Sequence, residues 1–250
     1  MHGPSHSMQV AILSDIHGNR HALEAVLEDV ARTAASRVWC LGDVVGYGAD
    51  PNDCCALTRE HARLTLAGNH DLAVTGDLSL DEFSRGAAVA ARWTQEVLDA
   101  GHLAWLRSLQ PKHELAEIGL YHGSPRDPVW EYVLSALLAE LCLDAARRPL
   151  CVVGHSHVAL SFVRRDGQPT TGEARRAGDV VALRGAEWLV NPGSVGQPRD
   201  GDPRAAWLLL DTDEATATWR RVEYDVQGAA AAIRAARLPD SLADRLQYGQ

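Results

Sequence analysis

Eight residues suited to holding a metal ion recur along this chain, each where an apolar run ends. They are Asp15 and His17 in Ser-Asp-Ile-His-Gly-Asn, Asp43 in Leu-Gly-Asp, and Asn69 and His70 in Ala-Gly-Asn-His-Asp. His122 follows in Tyr-His-Gly-Ser, then His155 and His157 in Gly-His-Ser-His. Such a chain must fold so that several strand ends meet at one rim. Side chains two apart on an extended segment point to the same side, so Asp15 and His17 can face one site, as can His155 and His157. In an open α/β sheet, ligands bind outside the carboxyl ends of the strands. Five loops would carry carboxylate, imidazole and amide groups there, with no thiolate. That set points to a polynuclear centre for divalent ions in five- or six-coordinate sites and away from a structural zinc site.

The periodicity of the chain agrees with such a rim. Residues 8–14 read as a buried strand, and 20–34 as an amphipathic helix with Leu23, Val26, Leu27 and Val30 on one face and Asn19 as its N-cap. A second strand over 37–41, a helix over 51–61 begun by Pro51, and a third strand over 63–67 complete a βαβαβ pattern, which predicts parallel pairing. Helical signals fill 72–110, mainly 81–99 and 102–109. Strands over 117–121 and 150–153 flank a helix over 133–147. After residue 157 short strands (160–164, 180–183, 187–190, 206–211 and 217–224) alternate with turns, which suits hairpins. The segment 165–178, with Gly, Pro, Thr and several arginines, reads as a mobile insertion, and the Ala-rich helix over 226–237 as packing. The predicted fold class is α/β, a four-layer αββα sandwich of two mixed β-sheets flanked by helices. The first sheet would be largely parallel and the second largely antiparallel. The length fits a single domain over 8–250, after an N-terminal extension or tag remnant over 1–7.

Composition narrows the partners. A net charge of -9 argues against a nucleic-acid groove, although local metal charge would still draw a small anion. The five cysteines are odd in number and form no C-x-x-C, and Cys40 and Cys151 lie inside apolar runs. They read as buried, reduced thiols of a cytoplasmic protein. No apolar stretch approaches the roughly 18 residues that span a membrane.

Asp15-x-His17, Gly42-Asp43, Gly68-Asn69-His70-Asp71, His122 and Gly154-His155-Ser156-His157, in this order, resemble the five blocks of the calcineurin-like metallophosphoesterases. Asn191-Pro192-Gly193-Ser194-Val195-Gly196 resembles the bacterial and archaeal small phosphodiesterase branch of that superfamily. The resemblance implies that Asp15, His17 and His157 hold one metal, that Asn69, His122 and His155 hold a second, and that Asp43 bridges them. It implies two divalent ions drawn from Mn, Fe, Zn, Ni and Co, with manganese favoured. Catalysis would fall to His70, Asn69 and Asp43. His70 would give a hydrogen bond or a proton to the phosphate or leaving oxygen, while hydroxide shared by the ions attacks phosphorus. The substrate would be a small phosphoester or nucleotide, diester before monoester, contacted by Asn19 and Tyr47. A homodimer fits the resemblance. The alternatives are a phosphomonoesterase or protein phosphatase of the same superfamily, and a metal-binding scaffold for protein association.

One departure bears on substrate. Protein serine/threonine phosphatases and symmetrical dinucleoside tetraphosphatases continue the second block as Gly-Asp-x-x-Asp-Arg-Gly. This chain reads Gly42-Asp43-Val44-Val45-Gly46-Tyr47-Gly48. The Asp that would orient His70 is missing, as is the phosphate-binding Arg, which disfavours both classes. Asp71, Asp50 and Asp53 all remain candidates for the partner of His70. Ser156 and Ser194 lack the Gly-x-Ser-x-Gly setting of a serine nucleophile. Trp130, Arg199 and Arg204 read more readily as core or loop-surface residues than as substrate contacts.

Overall fold

Apolar alternation along the central strands sets the layering of the computed structural model, which describes residues 8–250. The extension expected over 1–7 lies outside the described residues. Strand β1 (Gln9–Leu13) turns Val10 and Ile12 to one apolar cluster and Ala11 and Leu13 to another. The first cluster also holds Leu120, Val152 and Val190, so it fills the space between two sheets. The second holds Leu23, Val26 and Val30 of helix α1 (Arg20–Ala31), so it lies under the helical layer. The same period of two recurs in β2 (Arg37–Cys40), where Trp39 faces the interior and Val38 and Cys40 face the helices.

The chain continues through α2 (Pro51–His61), β3 (Ala62–Thr65), α3 (Asn69–Thr75), a 3-10 turn at Leu80–Glu82, α4 (Arg85–Val97) and α5 (Ala100–Leu106). Then come β4 (Lys112–Glu114), β5 (Ile118–Tyr121), α6 (Ala136–Ala146), β6 (Leu150–Val153), β7 (Ala159–Arg164), β8 (Thr171–Ala174) and β9 (Val180–Ala182). The last elements are β10 (Glu187–Pro192), β11 (Ala205–Asp211), β12 (Thr216–Val222), α7 (Val226–Ala235) and α8 (Asp240–Asp244), with a 3-10 turn at Arg245–Gln247. One six-stranded sheet runs β3-β2-β1-β11-β12-β9 and the other β4-β5-β6-β10-β7-β8. α6 covers the outer face of the second sheet, packing Ala139, Cys142 and Leu143 on Cys151, Val153 and Leu189.

The two sheets are mixed, as the fold class requires, but they do not divide into a parallel one and an antiparallel one. In the first, β1, β2 and β3 are parallel and β11, β12 and β9 antiparallel. In the second, β5, β6 and β10 are parallel, with β4, β7 and β8 antiparallel. The reason is burial. β10 and β11 are apolar on both faces, so they are stable only at sheet centres, and each pairs there with an earlier strand. The exposed polar strands β4 and β8 take both edges of the second sheet, while β3 and the short β9 edge the first. β8 also corrects the reading of 165–178 as an insertion. It closes a hairpin on β7, and the Phe162 ring lies where a side chain at Gly172 would be. All five cysteines are buried and unpaired. No helix among the described residues is long and apolar enough to cross a membrane.

Candidate metal centre

The parallel strands of both sheets end at one rim, and their loops hydrogen-bond to one another there. Asp15 N–H donates to the Gly42 carbonyl (3.0 Å), His17 N–H to Asp43 (2.9 Å), Gly154 N–H to His122 (2.8 Å) and Gly196 N–H to Asp15 (2.9 Å). The predicted pairs converge, though not through extended backbone. Asp15, His17, Asp43, Tyr47, His155 and His157 all have positive φ, between 52° and 63°. Outside glycine that conformation costs on the order of 1–3 kcal/mol per residue and persists only where surroundings dictate it. Here the crossed loops dictate it. Gly68 serves the same crowding, since a Cβ there would overlap the Asp43 carboxylate.

The polar atoms left over face each other. Nδ1 of His17, His122 and His157 donates to the carbonyls of Val45 (3.2 Å), Leu41 (3.0 Å) and Gln197 (2.6 Å), which leaves each Nε2 with its lone pair. His155 is reversed: its Nε2 bonds to the Trp130 carbonyl (3.2 Å), leaving Nδ1. Asp15 Oδ2 accepts from the His155 backbone and Asp43 Oδ1 from that of His70. Their other oxygens, Asp15 Oδ1 and Asp43 Oδ2, are buried without a hydrogen-bond donor. His17 Nε2 and His157 Nε2 stand 3.0 Å apart, with His157 Nε2 3.3 Å from Asp15 Oδ1. Asp43 Oδ2 lies 3.5 Å from Nε2 of both His17 and His122. Two ligand groups result, Asp15, His17, Asp43 and His157 in one, and Asp43, His122 and His155 in the other. Asn69, at the start of α3 and not at a strand end, places Oδ1 3.1 Å from His122 Nε2 and so joins the second.

The electrostatics match this donor set. Burial pushes the Asp15 carboxyl up to about 7, and burial with the nearby Asp71 raises Asp43. Burial, helped by neighbouring imidazoles and Arg199, holds His17, His155 and His157 well below their usual range. Neutral imidazoles and carboxylates that lack a counter-charge are what a bound divalent cation requires and relieves. The site therefore fits two ions sharing Asp43.

His70 lies at the floor of a cleft of about 380 Å³ with Asp43, Asn69, His155 and His157. Its ring packs on Tyr47 (4.3 Å between centroids), His17 (4.9 Å) and Phe83 (5.1 Å), and burial lowers its pKa to about 3. None of the three candidate carboxylates orients it. Asp71 accepts from the backbone of Val45 and Gly68, Asp53 faces Arg20, and Asp50 precedes α2 as its N-cap residue. His70 Nδ1 has no partner. Tyr47 lines the cleft as expected. Asn19 does not, because its amide oxygen caps α1 and its nitrogen donates to the Gly196 carbonyl. Ser194 and Ser156 are tied into the loops, by Asp15 and Asn191 respectively.

Trp130 and Arg199, read from the sequence as core or surface, line the cleft wall. Phe83, Tyr132 and Arg245 line it too, and the sequence reading passed over all three. The Trp-x-Tyr at 130–132, close after the His122 block, was an available signal for Tyr132. Arg245 carried none, because its place depends on how the chain end returns to the rim.

The profile described as the calcineurin-like phosphoesterase superfamily domain matches residues 8–215. The chain belongs to this superfamily. It is thereby a metallophosphoesterase-type hydrolase. It is 37% identical over 247 residues to the uncharacterized protein MJ0912 of Methanocaldococcus jannaschii, covering 96% of this chain and 98% of that one. It is 26% identical over 212 residues to phosphodiesterase YfcE of Escherichia coli K12, covering 82% and 89%. Among solved structures, the metallophosphoesterase from Sphaerobacter thermophilus superposes with a TM-score of 0.88 at 41% identity, covering 98% of this chain and all of that one. PH1004 from Pyrococcus horikoshii OT3 shares the fold at a TM-score of 0.77 and 20% identity, covering 97% and 99%.

Proposed function

We propose that the protein hydrolyses small phosphodiesters with two divalent ions, manganese first among them. One observation carries this reading: two buried ligand groups share the unpartnered Asp43 Oδ2 at the floor of a cleft that also holds His70. Asp15, His17, Asp43 and His157 would hold one ion, and Asp43, Asn69, His122 and His155 the other. When bound, two such ions polarise the phosphoryl oxygens and lower the pKa of a water molecule toward neutrality.

The chain's own groups supply the rest. The loop hydrogen bonds and the second nitrogens of the imidazoles fix the ligand atoms before substrate arrives, so little reorganisation is needed. His70 is neutral at working pH and offers one N–H, which suits it to hydrogen-bond a phosphoryl or leaving oxygen. Tyr47 and Phe83 hold its ring in place and keep water from that side. A diester preference is supported by the missing Asp-Arg pair at Gly46-Tyr47 and by the named activity of the YfcE relative.

The test is hydrolysis of an aryl phosphodiester with manganese supplied, alongside metal analysis of the same samples. Asp43→Ala should lose both metal and turnover. His70→Ala should keep its metal and lose about 10²–10⁴ in kcat. Absence of metal-dependent turnover across a panel of phosphoesters would refute the assignment.

A further inference from the structure

Two guanidinium groups line the cleft without a carboxylate partner, although Glu82 lines the same cleft. Arg199 Nη2 donates to Gln197 Oε1 at 2.9 Å and contacts the Tyr47 hydroxyl at 3.4 Å. Arg245 Nη1, arriving from the chain end, donates to the same Gln197 oxygen at 3.3 Å. Its Nε is buried and has no acceptor. Neither arginine meets a carboxylate among the described residues. Nearby arginines behave differently: Arg204 pairs with Asp202 at 2.7 Å, and Arg221 pairs with Asp200. In a chain of net charge -9, two like charges share one neutral amide while other arginines close by are neutralised. Such a pair is relieved by an anion, and the guanidinium fork suits phosphate oxygens.

The place of the pair matters. The Arg199 guanidinium lies 5.7 Å over the Tyr47 ring, which also packs on His70 at 4.3 Å and on His17 at 4.7 Å. It is therefore one aromatic ring away from the reacting centre and is not itself a candidate metal ligand, although its backbone N–H donates to the His157 carbonyl at 3.1 Å. Tyr132, hydrogen-bonded to Arg199, is 43% exposed while its ring stacks on His155 (4.0 Å), beside Trp130. A planar base can stack there, which inorganic phosphate would not use.

We propose that Arg199 and Arg245, held by Gln197, form a second anion subsite that takes a further phosphate of a nucleotide substrate. The inference rests on the phosphoesterase reading for what is cut, and on the cleft alone for what is bound. It implies a substrate with two phosphate groups, one at the metals and one at the arginines.

Calorimetric titration of the manganese-loaded protein tests it, with AMP, α,β-methylene ADP and adenosine 3′,5′-bisphosphate as probes. At least one two-phosphate probe should bind about tenfold or more tightly than AMP, the size of one or two charge-assisted hydrogen bonds. Arg245→Met should reduce that advantage to within about threefold. Gln197→Glu should do the same by setting a carboxylate between the guanidiniums. It keeps the side-chain shape, so it serves even if Arg245→Met folds poorly. Equal affinity for all three probes, or an advantage that survives both substitutions, would overturn the proposal. Aryl phosphodiester hydrolysis by the same samples reads the activity separately. A two-phosphate preference without turnover would sink the activity and leave the subsite standing, while turnover without preference would do the reverse.

Discussion

The ring of His70 is wedged between Tyr47, His17 and Phe83, and Gly46 makes the space for it. A Cβ at Gly46 would come within 2.5 Å of His70 Nδ1, and the backbone there has φ +89°. The aspartate that related phosphatases carry at this position has no room in this chain. Gly46→Asp should destabilise the fold by about 1–3 kcal/mol in urea unfolding and lower turnover. A variant with unchanged stability and a higher kcat would show instead that the aspartate can be accommodated and orients His70. The clustering of Asp15, His17, Asp43, His122, His155 and His157 was legible because residue type and block order carry it. The setting of His70 was not, because aromatic packing across three loops leaves no local pattern. Asp71 was an open candidate because one of its two donors, Val45 N–H, comes from a distant loop, although the other, Gly68 N–H, is a local contact at the start of its own helix.

At the scale of elements, the site depends on the short loops that leave the strands. Five of the candidate ligands adopt left-handed backbone because crossing loops hold them, and α1 begins directly behind the first of these loops. Asn19 joins the two, accepting from Ala22 N–H at 3.1 Å and donating to the Gly196 carbonyl at 2.9 Å. Asn19→Ala should therefore cost about 1–2 kcal/mol, or roughly 2–8 °C in Tm, with its direct effect on stability and not on substrate affinity. A selective rise in KM at unchanged Tm would restore the substrate-binding role expected from sequence. The longer helices and the buried strands were readable from periodicity, while the short α8 and the start of α3 at Asn69 were not. Sheet membership was not. β10 and β11 look like hairpin strands locally, and only their burial on both faces sends one to the centre of each sheet. The exposed β4 and β8 have no apolar pattern to read at all.

For the whole molecule, the metal-free site and the bound ions compete through protons. Burial raises the Asp15 carboxyl to about 7 from an ordinary 3.8. That proton stabilises the metal-free fold fully below pH 3.8, and the contribution is lost as pH rises through about 7. A metal must displace the same proton, so metal affinity should rise with pH, by up to about tenfold per unit for each proton released, and the part due to Asp15 levels off above about 7. Burial holds His17, His155 and His157 well below their usual range, which favours the neutral form that a metal needs. Chelator competition at about pH 5.5, 6.5 and 7.5 would measure the slope; a flat response would contradict it. The most direct test is anomalous diffraction from crystals saturated with manganese. Two peaks are expected about 3.5–4 Å apart, one among Asp15, His17 and His157 and one among Asn69, His122 and His155, with Asp43 between them. A single peak, or density away from Asp43, would contradict a two-ion centre.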